Sequence, residues 1–240
     1  MIFSSKSKEP IMSETNLVSR TSRILSSIAL LAVFTGLVFA LHAQTPAPAD
    51  KPNPNPIGWK KGPFTANLGG VAELKVPEGY EFADGDGARK YLELTHNPSG
   101  GSEVGILTPV SDQKADDWIV LFDFDDTGYV KDDEKSSIDA PKLLESMEKA
   151  TEADNEERRK RGWEPFHITG WQTMPFYDQS THNLTWGTLG KGDNPQEGET
   201  INYATRILGR RGVIRVDLVL DPSQTAATLP KFKEVMTGFS

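Results

Sequence analysis

Between Phe166 and Leu220 the chain reads as four extended runs in succession, and that succession narrows the possible folds more than any other feature. The runs are Phe166–Trp171, His182–Leu189, Thr200–Leu208 and Gly212–Leu220. They are rich in β-branched and aromatic residues, which fit a pleated surface. The link Gly209-Arg210-Arg211-Gly212 has room only for a tight hairpin, so the last two runs must pair antiparallel. Lys191–Glu199 (KGDNPQEGE) reads as a surface loop. A sheet built this way needs helices to bury one of its faces.

The upstream sequence supplies more strands and those helices. Thr65–Leu68 and Val71–Val76 flank the turn signal Gly69-Gly70. Glu103–Thr108 and Trp118–Phe124 are further strands, and the second, apolar on both sides early, belongs in the middle of the sheet. Asp84–Thr95 reads as a short helix with Asp84 or Asp86 as N-cap. The longest helix opens at Asp139-Ala140-Pro141 and ends before Gly162. Leu143, Leu144, Met147 and Ala150 form its buried stripe. Its second half, with acid-before-base pairs Asp154–Arg158, Glu156–Lys160 and Glu157–Arg161, is expected to stand in water. Asp221-Pro222 starts a C-terminal helix interrupted at Pro230, with Leu229, Phe232, Met236 and Phe239 inward. The fold class is therefore α+β: a twisted, mostly antiparallel sheet with packed helices, including one long amphipathic helix near 139–161.

Three regions divide the chain: a signal or anchor segment over 1–43, a Pro-rich linker over 44–57 and one α+β domain over 58–240. Ile24–Leu41 holds no charge and follows Arg20 and Arg23. It serves either as a signal cleaved after Ala40 or Ala43, or as a retained membrane anchor. Both outcomes export the remainder, to the periplasm or the outer side of a membrane. Thr45–Pro56 (TPAPADKPNPNP) favours extended polyproline II. Past residue 43 there remain 22 basic and 32 acidic residues, a net charge of −10. Such a surface is a poor match for nucleic acid. With no cysteine, disulfides and thiolate chemistry are excluded.

Several separated motifs carry a family resemblance. They are P-x-G-Y at Pro77–Tyr80, the block from Trp118 through Gly128-Tyr129-Val130 to Asp132-Asp133, and Asn155 with Arg159. To these add GW…P-x-YD…H-x-L-x-W over Gly170–Trp186 and N-Y-x-x-R-x-L-G-R-x-G-V over Asn202–Val213. Together they resemble the domain-of-unknown-function 2167 family of predicted membrane-anchored bacterial proteins, across roughly residues 58–240. The resemblance implies an exported or cell-envelope protein and brings no assigned activity and no catalytic residues. Members commonly run on into a C-terminal apolar segment; here membrane attachment is expected to rest on Ile24–Leu41.

Four constellations carry possible chemistry, each beside a plainer reading. Asp123, Asp125, Thr127 and Glu134 match a calcium-loop spacing around Gly128, and no other cofactor is indicated. The plainer reading is an acidic turn leaving a strand. Asp178 and His182 form a base–orienter pair if the turn between them brings them together, which would suit a hydrolase-like enzyme. No G-x-S-x-G or other nucleophile motif accompanies them, and Asp178 serves equally as a turn cap. His96, His167 and His182 lack metal-binding spacing. Trp171, Tyr177, Trp186 and Arg206 combine the residue types enriched at recognition hot spots; the plainer reading has Tyr177 and Trp186 as core or groove aromatics and Arg206 paired with a sheet neighbour such as Asp217. The resulting expectation is a non-catalytic envelope module whose partner is an envelope protein or ligand, with Trp171, Tyr177, Trp186 and Arg206 as its contacts.

Overall fold

A computed structural model describes residues 53–111, 116–130 and 138–240. The leader, most of the linker and Glu134 lie outside these residues.

An eight-stranded antiparallel sheet forms the frame, in the order β1-β4-β5-β6-β10-β9-β8-β7. Its strands are β1 (Lys60–Lys61), β4 (Tyr80–Asp84), β5 (Glu103–Pro109), β6 (Ile119–Asp125), β7 (Phe166–Asp178), β8 (Asn183–Gly192), β9 (Thr200–Leu208) and β10 (Val213–Leu220). A separate hairpin pairs β2 (Phe64–Leu68) with β3 (Ala72–Val76). As the sequence predicts, β6 is central and β9–β10 close through Gly209–Gly212, whose backbone bonds at 2.8 Å from the Gly209 N–H to the Gly212 carbonyl.

Alternation along the strands sorts side chains onto two faces. Val120 and Phe122 from β6, Ile201 and Tyr203 from β9, and Val216, Leu218 and Leu220 from β10 enter one large core. The β2–β3 hairpin and α3 (Thr225–Met236) cover it, the latter through Phe232 and Val235. The chain end joins this layer, since the backbone groups of Glu73 and Ser240 bond to each other at 2.8 and 3.0 Å. On the opposite face, α1 (Gly85–Leu94) packs on β4 and β5 around Ala83, Ala88 and Ile106. Asp84 caps α1 by accepting from the Gly87 N–H at 3.1 Å. Asp84→Ala is expected to lower stability by about 0.5–2 kcal/mol, the usual worth of such a cap, as read by urea unfolding.

Four expectations need correction. In α2 (Ala140–Lys160), Leu143, Leu144 and Met147 are only half-buried and Ala150 is exposed. The buried residue is Asn155, in the half expected to stand in water. It docks the helix on the edge strand β7, whose backbone needs a partner on its free side. Second, α3 runs through Pro230 without a break. Pro230 is exposed, and the helix is held by the burial of residues on either side of it. Third, β7 continues to Asp178, through three register irregularities, so the turn to β8 is only Gln179–His182. Fourth, β8 extends to Gly192 and shortens the loop read from Lys191.

Candidate functional site

The strands at the middle of the sheet are only partly covered on the α1 side, with Ile119 and Leu121 of β6 touching the α1 cluster. Helix α1 covers β4 and β5, while α2 lies against β7. Between them β6, β10 and β9 form a half-buried floor three strands wide. The chemistry of β10 shows why this is tolerated: VIRVDLVL buries Ile214, Val216, Leu218 and Leu220 on the core face and leaves Val213, Arg215, Asp217 and Val219 half-buried on the other. A central strand covered on both faces would be apolar throughout.

The two helices converge at their C-terminal ends and frame one side of the floor. The Arg158 guanidinium donates to the His96 carbonyl at 2.7 Å and to the Asn97 side-chain oxygen at 2.6 Å. Arg161 pairs with Glu93 of α1 at 2.9 Å. His96, in the left-handed conformation at φ 58°, stacks on Trp163 at 5.4 Å between ring centres. Burial holds the Arg158 guanidinium below its ordinary pKa, with the Asp154 charge opposing that push.

This frame encloses a trough of about 710 Å³. Ile119, Leu121 and Val219 make its apolar floor, with Asn202 beside them. These positions are neighbours by register, since Val219 pairs with Ile119 on one side and Asn202 on the other. Tyr91 and Asp117 stand on the α1 side, and the Glu197–Thr200 segment on the β8–β9 side. Burial, then the Asp117 charge, raise the pKa of the Tyr91 hydroxyl. The volume falls in the range of small-molecule and peptide clefts.

Further along the same face lies an ionic ladder. Arg206, Arg215, Asp123 and Glu103 are successive cross-strand neighbours on β9, β10, β6 and β5. Arg206 donates to Asp217 at 2.9 Å and lies 4.7 Å over the Trp186 ring. Arg215 reaches Asp123 at 3.2 Å and Asp125 at 3.3 Å, and donates to the Ser102 hydroxyl at 2.8 Å. Arg89 of α1 stands 3.7 Å from the buried Glu103 carboxylate.

The residues singled out in the sequence are thus placed as follows. Asp123 and Asp125 engage Arg215, Thr127 donates its backbone N–H to the Asp125 carbonyl, and Glu134 is outside the described residues. Among the described residues no group of three His, Asp or Glu side chains gathers as metal ligands do. The Asp178 carboxylate accepts from the Ser180 amide and hydroxyl at 2.8 and 2.6 Å, and those bonds hold its pKa down. His182, at φ 56°, meets the Tyr177 hydroxyl through Nδ1 at 3.0 Å. Trp186 and Arg206 come together, but Trp186 is only 7% exposed. Trp171 is half-buried on β7, paired across to Thr188. Beside it on that edge strand, Met174 and Phe176 are exposed. Among the described residues no helix is long and apolar enough to cross a membrane.

The sequence reading passed over Tyr91, Asp117 and Val219, set Arg158 on a solvated helix face and took Asn202 only as part of a family motif. The one available signal was the strict alternation of β10, which marks a half-open face on a strand that must be central.

A family model described as "Protein of unknown function (DUF2167)" matches residues 60–240. No curated protein matches the chain. Among solved structures, it is similar to the solution structure of cyanobacterial PsbP (CyanoP) from Synechocystis sp. PCC 6803, at 10% identity and a TM-score of 0.43, covering 76% of this chain and 90% of that one. It is also similar to the crystal structure of the Saccharomyces cerevisiae Ran-binding protein Mog1p, at 12% identity and a TM-score of 0.40, covering 75% of this chain and 96% of that one.

Proposed function

The chain belongs to DUF2167, a family of proteins of unknown function, and from that premise we propose that it is a non-catalytic binding module of the cell envelope that holds its ligand in the trough between α1 and α2. The observation that carries this reading is the half-open floor of Ile119, Leu121, Val219 and Asn202 at the centre of the sheet. A framed recess with an apolar strip on its floor and a largely polar border suits ligand binding. The envelope location rests on the uncharged run Ile24–Leu41 behind its basic flank. A hydrolytic role would need Asp178 to orient His182, whereas these side chains engage Ser180 and Tyr177 respectively.

The trough reading is tested by filling the floor. A library of small amphiphilic fragments, screened against the full chain by saturation-transfer NMR, is expected to yield binders that Val219→Trp weakens by at least about tenfold. Binders indifferent to that substitution, in a variant of unchanged thermal stability, would place recognition elsewhere. For location, the mass of the exported product is the readout. A product beginning at Leu41 or Gln44 shows a cleaved signal, and a full-length product in the membrane fraction shows an anchor.

A further inference from the structure

We infer that the occupant of the trough is an extended basic peptide segment of a partner protein, an inference that rests on the trough reading and gives it a ligand class. Charge is the first argument. Among the described residues, Asp117, Glu164, Glu197, Glu199 and Asp221 border the trough, against the guanidinium of Arg158. That balance is far more acidic than the chain as a whole, which carries 34 acidic and 26 basic residues. Arg158 donates to the His96 and Glu164 carbonyls and to Asn97, and four of the carboxylates accept from neutral donors that leave their charge intact: Glu164 from the Asn194 N–H, Glu197 from the Asn194 amide, Glu199 from the Thr169 hydroxyl and Asp221 from the Ser223 N–H and hydroxyl.

Distribution is the second argument. The carboxylates stand on separate elements: Asp117 just before β6, Glu164 after α2, Glu197 and Glu199 in the β8–β9 loop, and Asp221 after β10. Among the described residues they form no group of three that would hold a metal ion. A compact ammonium or a divalent ion needs converging oxygens. Carboxylates spread around the recess on separate elements suit a chain bearing several cations along its length. Between them, the strip Ile119, Leu121 and Val219 receives apolar side chains. Asn202 offers an amide to a peptide backbone. The partner segment therefore alternates Lys or Arg with apolar residues. Steering by the acidic border makes its association sensitive to salt.

The test uses the full chain and a fluorescein-labelled dodecapeptide alternating Lys and Leu, followed by fluorescence anisotropy. The expected result is saturable binding that weakens as salt rises, with the matching Glu–Leu and Gln–Leu peptides at least about tenfold weaker. Asp117→Lys with Glu197→Lys should weaken the Lys–Leu peptide by at least about tenfold, and Asp117→Asn with Glu197→Gln by less. Glu145→Lys, on the exposed face of α2, should leave it unchanged. If the Gln–Leu peptide binds as well, or if both border variants keep full affinity while Val219→Trp abolishes binding, the trough stands and the basic class falls. If spermine competes at the peptide's own affinity, the occupant is a small polyamine and the peptide assignment falls. If the Lys–Leu peptide binds Val219→Trp as tightly as the parent, the trough reading falls with it.

Discussion

Asn155→Leu is expected to destabilise the protein by about 2–4 kcal/mol while changing almost no packing volume. Asn155 is fully buried, and its side-chain amide makes two bonds to one residue of the edge strand. Its Nδ2 donates to the Phe166 carbonyl, and its Oδ1 accepts from the Phe166 N–H, each at 2.8 Å. The amide thus does for the first residue of β7 what a further strand would do. Leucine fills the same space but leaves both Phe166 groups without partners. An orphaned buried polar group costs about 1–3 kcal/mol, and Phe166 is half-buried, so the lower part of the combined range applies. The contrast lies one turn away. Arg159 pairs with Glu152 at 2.8 Å, but both side chains are about half exposed, and Arg159→Ala should cost under about 1 kcal/mol. Urea unfolding of both variants gives the comparison, and hydrogen exchange at the Phe166 amide should accelerate only in Asn155→Leu. Equal losses from the two would mean that surface charge, not the amide clamp, seats α2 on the sheet.

That clamp shows where sequence reading stops. The strands were legible because their signal is local: WIVLFDF and VIRVDLVL each carry their own pattern, and Gly209–Gly212 forces the pairing between neighbours. The cap of α1 was legible for the same reason, an Asp three residues before the amide that it accepts from. Asn155 sits among Glu152, Asp154, Glu156 and Glu157, where composition points to a solvated face. Its role depends on Phe166, which the fold, and not the local sequence, brings beside it. The four aliphatic positions earlier in α2 gave the opposite impression, and they are the ones left partly open. The trough was hidden by the same physics. Its lining comes from the end of α1, the start of β6, the end of α2, the β8–β9 loop and the face of β9 and β10, and no two of those segments share a motif. The aromatic stretch Gly170–Trp186 drew the eye because it is dense locally. Much of that density goes into the sheet: Trp186 is buried under Arg206, and Asp178 closes a turn.

Arg215→Met should produce a deficit that grows with pH. Arg215 stands between Asp123 and Asp125 in the ionic ladder, and the Asp123 side chain is only 13% exposed. Burial raises the Asp123 pKa above its ordinary value; Arg215 and the Ser102 hydroxyl oppose that rise, while the charges of Asp217 and Glu103 add to it. A carboxyl whose folded pKa lies above its unfolded one favours folding when protonated. Its contribution is therefore present at pH values below the ordinary carboxylate range and is lost as pH rises through the folded pKa. Removing the guanidinium takes away the largest opposing influence and drives that pKa further up. At pH values above that raised pKa the variant must bury an ionised Asp123 without its counter-charge. Breaking a fully buried pair costs about 3–5 kcal/mol, and the 33% exposure of Arg215 reduces this to about 2–3 kcal/mol. As pH falls through that raised pKa Asp123 takes up a proton and the gap to the parent should narrow. Asp123→Asn combined with Arg215→Met removes the charge outright, so the double variant should be more stable than Arg215→Met at pH 7 and should track the parent's pH dependence more closely. Guanidinium would mask these charges, so the curves are best taken in urea across pH 4.5 to 7. A deficit of the same size at both ends, or a double variant no better than the single one, would mean that Arg215 acts through packing of its stem and not through Asp123.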